Sequence, residues 1–269
     1  MARRPLAATS VRDALDSAVI PLAAAGIDTA RLDAEVLLAS VLGVDRTALY
    51  LEPGRSLSGE QARAFMDVVR RRREREPVAY IVGARGFRRL ELEVDRRVLV
   101  PRPETEHVVE AALELPFGAR VVDVGTGSGA IALALKDERP DLDVWATDSS
   151  ADALDVARAN AARLGLEVRF AHGDLLAGVS EAAAVVSNPP YVNPDDAVSP
   201  EVSFEPHGAV YGNVFERLIE AAADARFVAI EHGEGQADAV EGLLRAEGFE
   251  TERVRDLAGI DRVAVGRRR

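Results

Sequence analysis

The spacing of hydrophobic residues divides the chain into two parts with different periodicities. Over residues 10 to 76, apolar positions recur every three or four residues, which is the period of amphipathic helices. Three helices are predicted there: one over residues 14–22, one that begins after Asp28-Thr29, and one that begins near Ser58 and ends before Pro77. This first part is therefore predicted to be a small helical bundle.

A β-hairpin is predicted between the two parts. Residues 86–100 alternate between apolar and polar positions, as half-buried strands do. The polar tripeptide Asp95-Arg96-Arg97 interrupts the alternation and is interpreted as the turn.

From residue 106 onward, short strand-like runs alternate with helical segments. This alternation predicts an α/β fold with a doubly wound, mostly parallel sheet of Rossmann-like type. The runs are Arg120–Val124, 143–147, 168–171, Ala184–Ser187 and Phe227–Glu231, and an antiparallel edge pair is expected from Glu250–Arg255 and 260–266. The predicted domain organisation is a bundle over 1–76, a linker with the hairpin over 77–105, and the sheet domain over 106–269.

Composition excludes several kinds of chemistry. The 269 residues include no cysteine, so disulfides, thiolate metal sites and cysteine nucleophiles are ruled out. The four histidines are scattered without zinc-site spacing, and no metal is expected. A net charge of −12 argues against a grip on long nucleic acid, which usually needs a basic face.

The location of the protein is predicted from the same composition. No apolar run approaches the ~20 residues of a membrane helix. The start of the chain carries Arg3 and Arg4 but no apolar stretch of signal-peptide type. We therefore expect a cytoplasmic protein without a membrane partner, and an acidic monomer.

A glycine-rich turn follows the first strand of the sheet domain and is the candidate cofactor loop. Glycines allow a sharp turn and close approach of a ligand to the backbone, and the helix that follows presents free N–H groups. Asp148 lies 21 residues after Gly127, at the end of the next strand, where a carboxylate can accept both hydroxyls of a ribose. The candidate cofactor-binding residues of the loop are Asp123, Gly125, Thr126, Gly127, Ser128 and Gly129.

The loop alone is compatible with two cofactors. Gly125, Gly127 and Ala130 also satisfy a dinucleotide fingerprint, so a nicotinamide dehydrogenase is a rival hypothesis. The acid Asp123 favours S-adenosyl-L-methionine, because a carboxylate so near a pyrophosphate would be repelled. After the third strand, Asp174 is expected to accept from an adenine amino group.

The tetrapeptide Asn188-Pro189-Pro190-Tyr191 directly follows the fourth strand and is the candidate catalytic motif. Two prolines stiffen the loop, which leaves the Asn188 side chain and the Pro189 carbonyl as acceptors. Two acceptors that bind both N–H groups of a planar nitrogen orient its lone pair and stabilise its developing charge during methyl transfer. Asn188 and Pro189 are thus the predicted catalytic residues, and all four residues are predicted to contact the substrate.

Around these motifs the chain resembles the peptide chain release factor N5-glutamine methyltransferases of HemK type. The tetrapeptide is shared with adenine-N6 and guanine-N2 nucleic-acid methyltransferases. More specific are Pro101-Arg102-Pro103-Glu104-Thr105-Glu106, Pro200-Glu201-Val202 with Phe204-Glu205-Pro206, Glu231-His232-Gly233 with Gln236, and Asp261-Arg262-Val263. The Glu104 and Glu106 carboxylates also suit a helix start, and both interpretations stay open.

The resemblance implies the substrate and the partner. It implies methyl transfer from S-adenosyl-L-methionine to the glutamine of the Gly-Gly-Gln motif in translation release factors, with the bundle at 1–76 recognising the release factor. It places Leu175 beside adenine and Asn188 at both cofactor and substrate. The chain departs from the family at 212–226, which is shorter than usual, and at Leu175, where many members have an aromatic residue.

Three other functions would use some of the same motifs. A nucleic-acid base methyltransferase would use the same tetrapeptide but predicts a basic groove and a target-recognition region. A nucleotide-binding module without catalysis predicts a damaged Asn188 or damaged glycines, which the sequence does not have. A dehydrogenase has no role for the tetrapeptide.

Overall fold

The computed structural model describes residues 9–268 and separates into two compact units, residues 1–83 and 84–269. The N-terminal arginines, on which the expectation about a signal peptide rests, lie outside the described residues. The domain boundaries expected from the sequence, at 76/77 and 105/106, stay predictions.

The first unit is helical. Its helices are α1 (Val11–Ala24), α2 (Ala30–Leu42), α3 (Arg46–Leu51), α4 (Gly59–Arg73) and α5 (Val78–Val82). Capping boxes begin α1 and α4: the Ser10 and Ser58 hydroxyls accept the backbone N–H groups of Asp13 and Gln61, and the serine backbone N–H groups donate to the Asp13 and Gln61 side chains. The three predicted helices are confirmed, whereas α3 and α5 are too short to show a period and were missed.

The unit encloses its own apolar core, and one ion pair is buried beside it. Leu22, Leu37 and Leu38 are fully buried. The Arg72 guanidinium on α4 donates to the Asp33 carboxylate on α2 over 2.7 Å, with both side chains under a tenth exposed.

The second unit begins with a hairpin whose turn differs from the prediction. Strands β1 (Ala84–Phe87) and β2 (Leu90–Glu93) pair antiparallel, so Arg88-Arg89 forms the turn, and the prediction of Asp95-Arg96-Arg97 is wrong. Arg88 adopts a positive φ of 51° and binds Glu138 over 2.6 Å and Glu110 over 3.0 Å. These ion pairs stabilise the turn, in which neither residue is a glycine, asparagine, aspartate or proline. Asp95 instead accepts from the Arg97 backbone within a loop.

The remaining strands form the predicted sheet. Among the described residues seven strands pair in the order β5-β4-β3-β6-β7-β9-β8, of which the first five are parallel and the last two antiparallel. They are β3 (Arg120–Val124), β4 (Asp143–Asp148), β5 (Arg169–His172), β6 (Ala184–Ser187), β7 (Phe227–Glu231), β8 (Glu250–Arg255) and β9 (Asp261–Arg267). The α/β fold and the antiparallel edge pair are confirmed.

Helices cover both faces of this sheet and explain why its central strands are continuously apolar. Alternate residues of the strands enter two cores: Val121 and Val186 pack on one face, and Val122 and Val185 on the other. The helices are α6 (Glu106–Ala112), α7 (Ala130–Glu138), α8 (Ala151–Leu164), α9 (His207–Val210), α10 (Phe215–Ala221) and α11 (Ala237–Ala246). Short 3₁₀ turns form at Pro103–Thr105 and Pro200–Phe204.

The strand order places a ligand crevice between β3 and β6. The chain runs from β3 outward to β5 and then returns to the other side of β3, so the direction of winding reverses there. Open α/β sheets bind ligands beyond the carboxyl ends of strands at such a switch point. Val124 and Ser187 are paired across it.

The Asp33–Arg72 ion pair supports a stability prediction for the helical unit. Asp33→Ala leaves a buried guanidinium without its carboxylate, and we expect the free energy of unfolding to fall by about 3–5 kcal/mol in urea denaturation. The control is Asp67→Ala, which removes an exposed partner 3.6 Å from Arg70 and should cost under about 1 kcal/mol. Equal losses in the two variants would contradict the prediction.

Candidate active site

A cavity of about 400 Å³ lies beyond the carboxyl ends of the central strands. Its volume is in the range of small-molecule sites. Several expected residues meet in its wall: Gly125, Gly127, Asp148, Asp174, Leu175, Asn188, Pro189 and Pro190. The cavity therefore joins the glycine loop to the tetrapeptide.

The glycine loop is held open by backbone hydrogen bonds. Gly125, Gly127 and Gly129 have positive φ values of 71°, 57° and 87°, which favour glycine. The N–H groups of Gly125 and Thr126 donate to the Thr147 carbonyl over 2.9 and 3.0 Å, and the Gly127 N–H donates to Asp148 Oδ2 over 3.0 Å. The carboxylate of Asp148 is thus fixed at the wall of the cavity.

Four of the expected cofactor residues do not line the cavity: Asp123, Thr126, Ser128 and Gly129. Asp123 Oδ2 accepts from the Thr126 hydroxyl over 2.6 Å and from the Ala132 N–H over 3.1 Å. Its Oδ1 is buried and has no hydrogen-bond partner among residues 9–268. Burial raises the pKa of Asp123 to about 7, although both hydrogen bonds lower it. Direct contact of these four residues with a cofactor stays a prediction.

The far end of the cavity is bounded by residues that follow β5. Asp174 forms an ion pair with Arg217, and both side chains are more than half exposed. Leu175 has a φ of 51°, and its carbonyl accepts from the Thr147 hydroxyl over 2.7 Å. The 212–226 region forms part of this wall, since Val214 and Leu218 line the cavity.

The tetrapeptide leaves β6 at the opposite end of the cavity. The Asn188 side-chain Nδ2 donates to Thr105 Oγ1 over 3.0 Å. Tyr191 lies in the wall of a smaller adjoining pocket of about 90 Å³, and its hydroxyl donates to Glu231 Oε1 over 3.1 Å. The Gln236 side chain donates to the Tyr191 carbonyl over 3.0 Å. Side chains from two other parts of the chain, Thr105 and the segment 231–236, therefore hold the motif.

The two segments that carry the family resemblance meet beside the tetrapeptide. Arg102 and Glu205 form an ion pair of 2.5 Å, and Glu205 also accepts the Val100 N–H over 3.1 Å. Burial raises the pKa of Glu205 against the pull of Arg102. Both interpretations of the acidic segment hold in part: Glu106 begins α6, and Thr105 contacts Asn188.

Glu231 is a buried carboxyl at the base of the site. The residue is 1% exposed, and burial raises its pKa to about 7 even though the neighbouring hydroxyls of Thr105 and Tyr191 lower it. The same burial, together with the Glu231 charge, raises the pKa of Tyr191. The sequence suggested Glu231 only through resemblance, and nothing in its local pattern assigns a role to it or to Thr105.

Two classes of feature are absent from the described part of the chain. No helix within residues 9–268 combines the length and apolarity that a membrane crossing requires. No group of three or more histidine, cysteine, aspartate or glutamate side chains in the same range is arranged to hold a metal ion.

With this geometry in view, comparison with known proteins identifies the family. Residues 13–83 match the PrmC N-terminal domain, and residues 105–205 match the methyltransferase small domain. A release factor glutamine methyltransferase from Koribacter versatilis is 40% identical over 96% of this chain and 99% of that protein. One from Burkholderia pseudomallei is 42% identical over 88% and 91%. The chain belongs to the release factor glutamine methyltransferase family.

Solved structures support the same fold. A methyltransferase from Pyrococcus furiosus superposes with a TM-score of 0.52 at 21% identity, covering 66% of this chain and 88% of that one. The hMettl16 catalytic domain gives a TM-score of 0.51 at 15% identity, covering 65% and 74%. These likenesses show the fold alone, whereas the family shows that the protein is a methyltransferase that uses S-adenosyl-L-methionine.

The buried Asp123 yields a prediction about pH. Its folded pKa is raised, so the stability that its protonated form contributes is present below about pH 4 and is lost as the pH rises through 7. Asp123→Asn cannot ionise. We expect the unfolding free energy of this variant, relative to the wild type, to rise between about pH 4 and pH 7 in urea denaturation, which is the interval between the unfolded and folded pKa values of Asp123. The control Asp224→Asn, at an exposed position, should show a constant difference. A constant difference for Asp123→Asn as well would refute the prediction.

Proposed function

We propose that the protein transfers a methyl group from S-adenosyl-L-methionine to the side-chain amide nitrogen, N5, of the glutamine in the Gly-Gly-Gln motif of translation release factors. The observation that carries the proposal is the position of Asn188, at the end of β6 and in the same cavity wall as Gly125 and Gly127. Relatives at about 40% identity bear the name of this activity.

The cavity wall has side chains that suit the ribose and the adenine of S-adenosyl-L-methionine. Asp148 offers a carboxylate suited to two ribose hydroxyls, and Leu175 offers an apolar side chain suited to an adenine face. A Cβ built on Gly125 or Gly127 meets no atom within 4 Å, so the loop leaves open space at these two glycines. We propose that these residues hold the cofactor, with Asp174 near the adenine amino group. When bound, the cofactor supplies an electrophilic methyl group on a positively charged sulfur.

The chemistry left to the protein is orientation of the amide. We propose that Asn188 Oδ1 and the Pro189 carbonyl accept the two N–H groups of the substrate glutamine. Among the loop and turn hydrogen bonds of residues 9–268, no backbone N–H donates to the Pro189 carbonyl. Binding both N–H groups turns the out-of-plane lone pair toward the methyl group, and the same acceptors stabilise the positive charge that develops on nitrogen. The rings of Pro190 and Tyr191 would enclose the flat amide.

We propose that the helical bundle over residues 1–76 recognises the release factor, and that 77–105 and 106–269 are linker and catalytic domain. A groove of about 440 Å³ in this part is lined by apolar side chains that include Ala18, Phe65 and Met66, with Arg70 and Arg73 also in its wall. Met66 is 65% exposed, which suits a contact surface. We propose further that the protein acts as a cytoplasmic monomer without direct contact to nucleic acid, which its charge of −12 supports.

The test of the function is substrate selection. The protein is incubated with labelled S-adenosyl-L-methionine and, separately, with a release factor, a tRNA mixture and duplex DNA. We expect label in the release factor alone, and none when its motif glutamine is replaced by alanine. Label in nucleic acid alone would favour the base methyltransferase and would exclude the proposed substrate.

Asn188→Ala tests the two-acceptor mechanism. Removing one preorganised acceptor should lower kcat by about 10²–10³-fold in the release factor assay, while the protein stays folded. Asn193→Ala is the matched control, because this asparagine is exposed and bonds only to Asp196 among its side-chain partners. Near-normal turnover of a folded Asn188→Ala variant would rule the mechanism out.

A further inference from the structure

Asn188 works as an acceptor only in one of its two amide orientations. A side-chain amide carries a carbonyl oxygen on one side and an NH₂ group on the other. The Nδ2 group donates to Thr105 Oγ1, so Oδ1 faces away from Thr105. A flipped amide would present donors to the substrate N–H groups, which need acceptors. Something must therefore favour the observed orientation.

Thr105 contacts Asn188 from a buried position and can in principle donate or accept. Its side chain lies at the end of the 3₁₀ turn Pro103–Thr105 and is 4% exposed as a residue. While its oxygen accepts the Asn188 N–H, its own hydrogen requires another acceptor. The Glu231 carboxylate lies beside this hydroxyl, which lowers the pKa of that carboxyl.

Glu231 has room for this hydrogen bond. Its Oε1 accepts from the Tyr191 hydroxyl, whereas Oε2 is buried and lacks a hydrogen-bond partner in the described range. An ionised carboxylate can only accept. If it accepts from Thr105, the threonine hydrogen is committed, and the threonine oxygen is left to accept from Asn188. Glu231 then fixes the direction of donation in both hydrogen bonds, from Asn188 to Thr105 and from Thr105 to Glu231.

We propose that Thr105 and Glu231 are positioning residues that keep Asn188 Oδ1 turned toward the substrate amide. The proposal deepens the function proposed above and rests on it for the identity of the substrate. Through Tyr191, the same carboxylate also fixes the other end of the tetrapeptide. Neither residue is assigned contact with the reacting atoms.

The charge state of Glu231 follows from its surroundings. The negative charge of Glu104 raises the pKa of Glu231, and the positive charge of Arg262 on β9 lowers it. His232 is the next residue along the chain, directly after β7. Burial outweighs these and gives a pKa of about 7. The accepting, ionised form is therefore lost as the pH falls through about 7, and with it the orientation of Asn188.

A pair of substitutions at Thr105 separates hydrogen bonding from packing. Thr105→Val keeps the shape but loses the hydroxyl, and Thr105→Ser keeps the hydroxyl but loses a methyl group. We expect Thr105→Ser to retain kcat within about 3-fold, and Thr105→Val to lose about 10–100-fold in kcat with unchanged Kd for S-adenosylhomocysteine. A purely structural role predicts the reverse ranking, and that ranking would overturn the proposal.

Glu231→Gln tests the origin of the polarity. The amide can donate to Thr105, which then donates to Asn188 Oδ1 and turns it away from the substrate. We expect kcat to fall about 10–100-fold and the acid limb near pH 7 to disappear from its pH profile. Glu241→Gln removes another buried carboxylate, which lies on α11 and pairs with Arg245 and Arg253, and should keep the wild-type profile. An unchanged acid limb in Glu231→Gln would overturn the proposal.

A readout without turnover separates this proposal from the function itself. Nuclear magnetic resonance follows solvent exchange of the Asn188 Nδ2 protons in the free protein. One protected proton is expected in the wild type and in Thr105→Ser, and none in Thr105→Val or Glu231→Gln. Absence of protection in the wild type refutes the positioning network. If protection is found but the wild type does not methylate a release factor, the proposed function alone fails.

Discussion

The pairing of β3 with β6 is the constraint on which the rest of the site depends. Val124 and Ser187 lie opposite each other at the ends of these strands, and the Ser187 hydroxyl donates to the Val124 carbonyl over 2.7 Å. The glycine loop leaves one strand and the tetrapeptide leaves the other, so two motifs 63 residues apart start from the same edge. Because both strands are buried on both faces, a slip by one residue would exchange the two cores. The register of the sheet thus sets the distance between the glycine loop and the tetrapeptide.

Buried acids support the tetrapeptide in addition to the stiffness of its own prolines. Glu231 anchors Tyr191, and Glu205 joins Val100 and Arg102 next to the same loop. Burying such carboxyls opposes their ionisation, and the raised pKa values of both residues record that penalty. Groups with strongly shifted pKa values concentrate at functional sites, where orientation is worth a loss of stability. The family-specific segments around residues 101–106 and 200–206 are therefore a support for the motif.

The sequence predicts those parts of the structure that are determined by the pattern of neighbouring residues. The central strands are short apolar runs, and β3, β6 and β7 are buried on both faces, so the sequence predicts the parallel sheet. The hairpin turn was misplaced because Arg88 adopts a positive φ under the pull of distant carboxylates, which no local pattern encodes. Thr105 and Glu231 lie 83 residues from Asn188 and 40 from Tyr191 in sequence. Only the fold brings these side chains together, so their contacts could not be foreseen.

A carboxylate at position 231 gives the hydrogen-bond network a single orientation, which a neutral amide cannot do because it can both donate and accept. Asparagine, threonine and tyrosine side chains can each reverse their hydrogen bonds, so a network built from them alone has two orientations of similar energy. One acceptor-only group at the buried end removes this degeneracy, because every donor along the chain must then point toward it. The cost is a pKa near 7, which ties the orientation to pH. Methyl transfer to a neutral, weakly nucleophilic amide depends on the orientation of the amide more than on a base. For that reaction, a fixed orientation of Asn188 outweighs the free-energy cost of burying the Glu231 charge.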